Sequence, residues 1–269
     1  MEFFIILLSG VLGLLSPAGL VIDRAAENGI RSQLENVDQV QVRVDNAPSY
    51  QLLQGKVERV RMAGRGLHLK RGDIRIAVLE LETDPIDFAP RSLGQKKPKL
   101  KRPIHAGVRL VLTKPDINQA LQSPVVTARL RNLSISQLRN SADDSVQSYN
   151  FVNPRVEFLE NNRLRFQVEL QEQGNAKPLA IMVESGLGVV AGRQLQLVKP
   201  GVFVNGEAAP NQIVSAIATN FSKRLDLGNL EGYGLRSRIL QLKVTPHKLE
   251  IAAFLRVEPS SRFLETSGL

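Results

Sequence analysis

Hydrophobic and polar residues alternate along much of the chain, and this period of two predicts long β-strands. The alternation is clear in five segments, at 40–44, 74–78, 164–170, 240–244 and 249–257. Such strands have one apolar and one polar face, which is typical of antiparallel sheets covered on one side. Turn-forming residues are predicted to connect the strands, at Asn161-Asn162, Ala191-Gly192-Arg193, Lys199-Pro200-Gly201 and Pro246-His247.

Three other segments show helical spacing. Apolar residues recur every three or four positions in 20–36, in 114–121 and in 210–224, which predicts three amphipathic helices. Pro115 suits the first turn of the second helix. The polar segment 140–150 is predicted to be a loop.

Together these elements predict one α+β domain, in which amphipathic helices cover the apolar faces of long, mostly antiparallel strands. Helices and strands do not alternate one for one, which argues against a doubly wound nucleotide-binding fold. The predicted organisation is a signal peptide or membrane anchor at 1–22, a single domain at 23–258 and a flexible tail at 259–269.

The N-terminal segment is free of charge from Phe3 to Ile22. Twenty residues reach about 30 Å as a helix, enough to cross a bilayer. Ser16-Pro17-Ala18 offers the small residues of a cleavage site, although no Lys or Arg precedes the segment. A cleaved signal and a retained anchor both stay open, and a buried N-terminal helix is the third alternative.

Composition restricts the chemistry. The chain has no cysteine and no tryptophan, which excludes thiol nucleophiles, cysteine-ligated metals and disulfides. No Gly-x-Ser-x-Gly elbow occurs. The three histidines are widely separated and lack metal-ligand spacing, at His68, His105 and His247. We predict no catalytic residue, no metal site and no cofactor.

The net charge of +9 is concentrated in one segment, since eight Lys or Arg residues and no acidic residue lie between Asp87 and Asp116. No aromatic residue lies between Phe88 and Tyr149 to stack on bases. Nucleic acid is therefore not expected as a partner.

One run near the middle of the chain is distinctive, Leu112-Thr113-Lys114-Pro115-Asp116-Ile117-Asn118-Gln119-Ala120-Leu121. It follows the helix at 20–36, the strand at 40–44, the stretch 52–57 and a strand pair containing Gly64, Gly66 and Gly72. From about Leu20 to Val257 the chain resembles the LmeA-like phospholipid-binding family, in a form like its cyanobacterial members. The basic insert Gln95–Pro103 is not part of that pattern.

The resemblance implies an α+β fold with a long curved, mostly antiparallel sheet packed around a long amphipathic helix, as in tubular lipid-binding (BPI-like) domains. It implies phospholipid binding between helix and sheet, and it brings no catalytic residues. An aliphatic groove suits acyl chains, because each buried CH₂ contributes about 0.8 kcal/mol without directional demands. The groove candidates are Ile22, Ala26, Ile30, Leu34, Leu164, Phe166, Val168, Leu170, Ile217 and Phe221.

The basic segment supplies candidates for contact with anionic lipid headgroups, unless it is a solvated loop. These membrane-surface candidates are Lys96, Lys97, Lys99, Lys101 and Arg102. We expect a non-catalytic protein that binds or shuttles phospholipid, associated with a membrane on the periplasmic or luminal side of the cell envelope. The alternative is a structural or scaffolding envelope protein with a filled core and a protein partner, because any sandwich shows the same alternation.

Overall fold

The computed structural model describes residues 31, 34–46, 49–70, 74–92, 99–124, 126–127, 149–172 and 178–262. Thirteen strands lie within these residues: β1 (Leu34–Asp45), β2 (Lys56–Val57), β3 (Arg59–Leu69), β4 (Ile74–Thr83), β5 (Ile86–Asp87), β6 (Ile104–Thr113), β7 (Tyr149–Phe158), β8 (Arg163–Glu172), β9 (Leu179–Val190), β10 (Gln194–Val204), β11 (Glu207–Ala208), β12 (Leu235–Val244) and β13 (Lys248–Val257).

The helices in the same ranges are shorter. They are α1 (Lys114–Gln122), α2 (Asn211–Arg224) and three 3₁₀ helices at Ser49–Gln54, Pro90–Ser92 and Leu227–Tyr233. None of the helices in the described ranges combines the length and hydropathy needed to span a bilayer.

The strands form two large sheets and one small one, and all pairs in the described part are antiparallel. The six-stranded sheet has the order β1-β3-β4-β6-β13-β12, and the five-stranded sheet has the order β11-β10-β9-β8-β7. β2 and β5 pair separately. The described part of the chain is therefore mostly antiparallel sheet with a few helices, as the alternating pattern predicted.

The six-stranded sheet has an apolar face and a charged face. Residues paired across the strands form rows, and successive rows belong to alternate faces. One row of the apolar face contains Val42, Met62, Leu81, Val108 and Ala253. The next row, on the charged face, contains Arg43, Arg61, Glu82 and Gly107. Buried residues of the apolar face join residues of the five-stranded sheet in one hydrophobic cluster.

The alternation shifts by one residue at Gly66. Before it, even-numbered positions of β3 are buried, whereas after it Leu67 and Leu69 are buried. Gly66 has φ +57, and a side chain there would collide with the carboxylate of Asp38. At Gly64 an added Cβ would lie 2.8 Å from Cδ2 of Leu67. Glycine at both positions lets the strand change phase while its apolar side chains stay buried.

We expect Gly66→Ala to lower the free energy of unfolding by about 2 kcal/mol, because alanine resists a positive φ and meets Asp38. Gly107→Ala is the control, since nothing lies within 4 Å of the added Cβ. Thermal unfolding of both variants measures the difference. Equal melting temperatures would contradict this account of Gly66.

Several sequence predictions hold, and others are wrong. The helices at 114–121 and 210–224 are confirmed to within one residue. The predicted single long sheet is divided into two. Of the predicted helix 20–36, residues 20–30 and 32–33 lie outside the described residues and Arg31 is helical. Leu34 begins β1 instead, opposite Leu69 and 4% exposed. Pairing with β3 overrides the helical spacing there.

Two predicted boundaries also shift. Lys199-Pro200-Gly201 does not connect strands but forms an irregularity within β10, where register shifts between Val198 and Gly201. Lys199 adopts a positive φ of 49. Residues that are typical of a turn therefore form a bulge within a strand here. The predicted loop 140–150 gives way to β7 from Tyr149, and its earlier part lies outside the described residues.

Candidate functional site

The apolar face of the five-stranded sheet contains four of the predicted groove residues. Leu164, Phe166, Val168 and Leu170 alternate along β8 with polar residues. Val168 and Leu170 are 5% and 3% exposed, whereas Leu164 and Phe166 are half-buried. Opposite them on β9 lie mainly further apolar residues, at Ser185, Val183, Ile181 and Leu179. This face is mainly apolar, and its side chains are less buried at the Leu164 end.

α2 runs beside the same sheet. Its C-terminal end is fixed to β10, because the Leu195 amide donates to the Leu225 carbonyl at 3.1 Å and the Gln194 side chain donates to the Ser222 carbonyl at 3.4 Å. Ile217 and Phe221 lie one turn apart on its apolar stripe. None of its residues is fully buried. An amphipathic helix with a half-buried apolar stripe therefore lies beside β10 of this sheet.

The structure describes seven of the ten predicted groove residues. Six of them belong to β8 and α2, and Leu164 and Phe221 pack against the same buried cluster. Leu34 belongs to the six-stranded sheet. Ile22, Ala26 and Ile30 lie outside the described residues.

The distinctive central run joins the two sheets. Asp116, 4% exposed, accepts hydrogen bonds from the Thr113 hydroxyl at 2.6 Å and from the Thr113 amide at 3.0 Å, and it pairs with Arg75 at 3.0 Å. Asn118 bonds to both backbone groups of Val156 in β7, at 2.7 and 2.9 Å. The run therefore builds the start of α1 and attaches it to the second sheet. The Thr-x-x-Asp spacing is a capping-box signal.

A second joint lies at the edge strand β12. Asn162, in the β7–β8 turn, accepts from the Val244 amide at 2.6 Å and donates to the Leu187 carbonyl at 2.6 Å. The Gly192 carbonyl, in the β9–β10 turn, accepts from the Ile239 amide at 2.6 Å. Turns of the five-stranded sheet therefore satisfy backbone donors at the edge of the six-stranded sheet.

A cavity of about 860 Å³ lies over the charged face, and we call it the charged trough. Small and aliphatic residues line it beside the charged ones. Gly107 faces open space, and Leu240, 70% exposed, lies at the β12 side. None of the predicted groove residues lines it. Sequence reasoning missed this cavity, although the arginines at alternate positions of β3 and the glutamates at alternate positions of β4 were a visible signal.

The arginines of the charged trough are paired with carboxylates. Arg43 and Arg61 both bind Asp45. Arg109 bonds to Glu80 at 3.0 Å and to Glu250 at 2.7 Å. Because these guanidinium groups are already paired, the trough does not present an open anion site.

The paired carboxylates predict a pH dependence of stability. Hydrogen bonds from Arg109 and Lys248 hold the pKa of Glu250 below its ordinary value of 4.5, and those from Arg165 and Arg163 do the same for the pKa of Glu184. A depressed pKa stabilises the fold above the ordinary value, and that contribution is lost as the pH falls through the folded-state pKa. We expect the melting temperature to be level above about pH 5 and to fall below 4.5. A level profile down to pH 3 would contradict these pairings.

The basic segment is described only in part. Lys99, Lys101 and Arg102 are exposed, and Arg102 pairs with Asp87. Lys96 and Lys97 lie outside the described residues. The two flanks of the segment are held together by backbone hydrogen bonds and by a bridge between Phe88 and Leu100.

Comparison with known proteins identifies one relationship. No curated protein and no solved structure matches the chain significantly. The sequence model of the family described as LmeA-like phospholipid-binding matches residues 13–254, which include both joints and both sheets except the last residues of β13. The chain is therefore a member of the LmeA-like phospholipid-binding family.

Proposed function

We propose that the chain holds the acyl chains of a phospholipid between α2 and the apolar face of β8–β10, and that it carries lipid within the cell envelope. The family match supports lipid binding in general. A protein of this family is expected to act by binding rather than by catalysis. The predicted 1–22 signal or anchor favours a location on the periplasmic or luminal side of a membrane.

The observation that carries the proposal is the exposure of α2. A helix that only completed a filled core would bury its apolar stripe, yet no residue of α2 is fully buried. Leu164 and Phe166 on β8 are likewise half-buried. Half-buried apolar surface on both elements suits a guest that supplies the missing apolar contacts.

The test of carriage is transfer of a fluorescent phospholipid between vesicles. Donor vesicles contain a self-quenched fluorescent phospholipid, and the full chain is added with unlabelled acceptor vesicles. The proposal predicts that fluorescence recovers at a rate proportional to protein concentration. Recovery no faster than without protein would contradict carriage.

A scaffold with a filled core is the second candidate. It is favoured by the position of the 860 Å³ cavity, which lies over the charged face and not against the groove residues. It predicts a chain that takes up no phospholipid and co-purifies with a protein partner. Lipid uptake therefore separates the two candidates.

A further inference from the structure

One end of the six-stranded sheet carries a compact basic structure that we call the tip, formed by residues 49–57, 86–92 and 99–103. It lies where β3 begins, β4 ends and β6 begins, whereas α1 follows the other end of β6. The tip is thus at the opposite end of β6 from the joint between α1 and β7.

The tip is a folded unit and not only a flank of the basic segment. β2 pairs with β5, the Phe88 amide donates to the Gly55 carbonyl at 2.7 Å, and the Ala89 amide donates to the Lys99 carbonyl at 2.7 Å. Val57, Ile86 and Phe88 are at most 3% exposed. Its charged side chains therefore project from a fixed base.

The tip carries an excess of positive charge. Five cations and one carboxylate occur in these residues, the cations at Lys56, Arg91, Lys99, Lys101 and Arg102. Lys56 lies directly opposite Asp87, which also pairs with Arg102, and the Lys101 amide donates to the Asp87 carbonyl at 2.8 Å. Three of the five cations therefore belong to residues that contact or lie opposite this single acid. This differs from the charged trough, where arginines and carboxylates are matched.

An aromatic side chain accompanies these charges. Tyr50, in the 3₁₀ helix that leads into β2, is 60% exposed. Exposed tyrosine beside excess positive charge suits the headgroup level of a bilayer, where the ring enters the interface and the cations meet anionic lipid.

We propose that the tip docks the protein on an anionic lipid bilayer, through Lys56, Lys99, Lys101 and the ring of Tyr50. The inference rests on the proposed function, because a carrier must contact the bilayer with which it exchanges lipid. It extends the membrane contact predicted for the basic segment to Lys56 and Tyr50, which precede that segment by about forty residues. Docking at one end fixes which end of the molecule approaches the membrane.

The experiment measures binding of the full chain to vesicles of phosphatidylcholine with 30 mol% phosphatidylglycerol, a composition of roughly physiological anionic content. Each basic residue near such a surface contributes about 1 kcal/mol, or about fivefold in affinity. Lys56→Gln/Lys101→Gln is therefore expected to weaken binding by about 30-fold. The control Lys223→Gln/Lys243→Gln removes two exposed lysines from α2 and β12 and should change binding less than twofold. Tyr50→Ser should weaken binding several-fold without changing charge.

Three results would overturn docking at the tip: equal losses in the two lysine pairs, equal binding to vesicles without phosphatidylglycerol, or tighter binding to nucleic acid than to vesicles. Bound phospholipid per chain is measured on the same preparations. Loss of vesicle binding with unchanged lipid content supports the tip as a separate docking surface. A lipid-free chain that still docks through Lys56 and Lys101 would contradict the proposed carriage but not the docking.

Discussion

Replacing both Ile217 and Phe221 by glutamate is expected to lower the affinity for fluorescent phospholipid by at least about 100-fold. Both side chains belong to the half-exposed stripe of α2. A carboxylate facing acyl chains costs about 2.5 kcal/mol, and two act on the same guest. Phe221 also packs against the buried cluster, so the melting temperature of the variant is measured first, to show that it remains folded. Titration of fluorescent phospholipid into the unmodified chain and into the variant gives the two dissociation constants that are compared.

The matched control is Ser215→Glu/Thr219→Glu. These residues have the same spacing on the exposed side of α2, so the control adds the same charge to the same helix. We expect it to bind lipid within about twofold of the unmodified chain. If both pairs of substitutions weaken binding equally, α2 acts through its charge and not through its apolar stripe, and the proposed groove is wrong.

Asp116→Ala is expected to lower the free energy of unfolding by about 3 kcal/mol, equivalent to roughly 8 °C in melting temperature. The substitution removes the capping box of α1 and leaves Arg75 without its buried partner. Because α1 also holds β7 through Asn118, the loss should loosen the joint between the sheets. Thermal and denaturant unfolding measure the change.

Asp38→Ala is the control for this joint. Asp38 pairs with the same guanidinium at 3.3 Å, but its side chain is 58% exposed. An exposed pair contributes little, so we expect a loss below about 1 kcal/mol. Equal effects of the two aspartate substitutions would show that burial of Asp116 is not what stabilises α1.

Local periodicity predicted the elements better than their assembly. The alternation around Val168 in β8 and around Ile251 in β13 located strands, and the helical spacing of 114–121 located α1, because each signal depends on residues close in the chain. Division into two sheets depends on hydrogen bonds between distant residues, such as the bond from Val244 to Asn162. No local pattern contains that information.

For the candidate site too, the sequence predicted the elements but not how they pack. The apolar faces of β8 and α2 follow from spacing, whereas their half-exposure depends on packing that spacing does not determine. The tip illustrates the same limit, since Lys56 and Lys101 are 45 positions apart in sequence and come together through the pairing of β2 with β5. Strand pairing can thus bring two segments that are distant in sequence into one surface.

Native mass spectrometry of the purified full chain tests the central claim most directly. We expect a species heavier than the chain by the mass of a phospholipid, which is released on activation and identified in the lipid extract. The Ile217→Glu/Phe221→Glu variant should lack that species, and the Ser215→Glu/Thr219→Glu control should retain it. A chain of bare mass, unchanged after incubation with phospholipid vesicles, would contradict the claim that its apolar surfaces hold acyl chains.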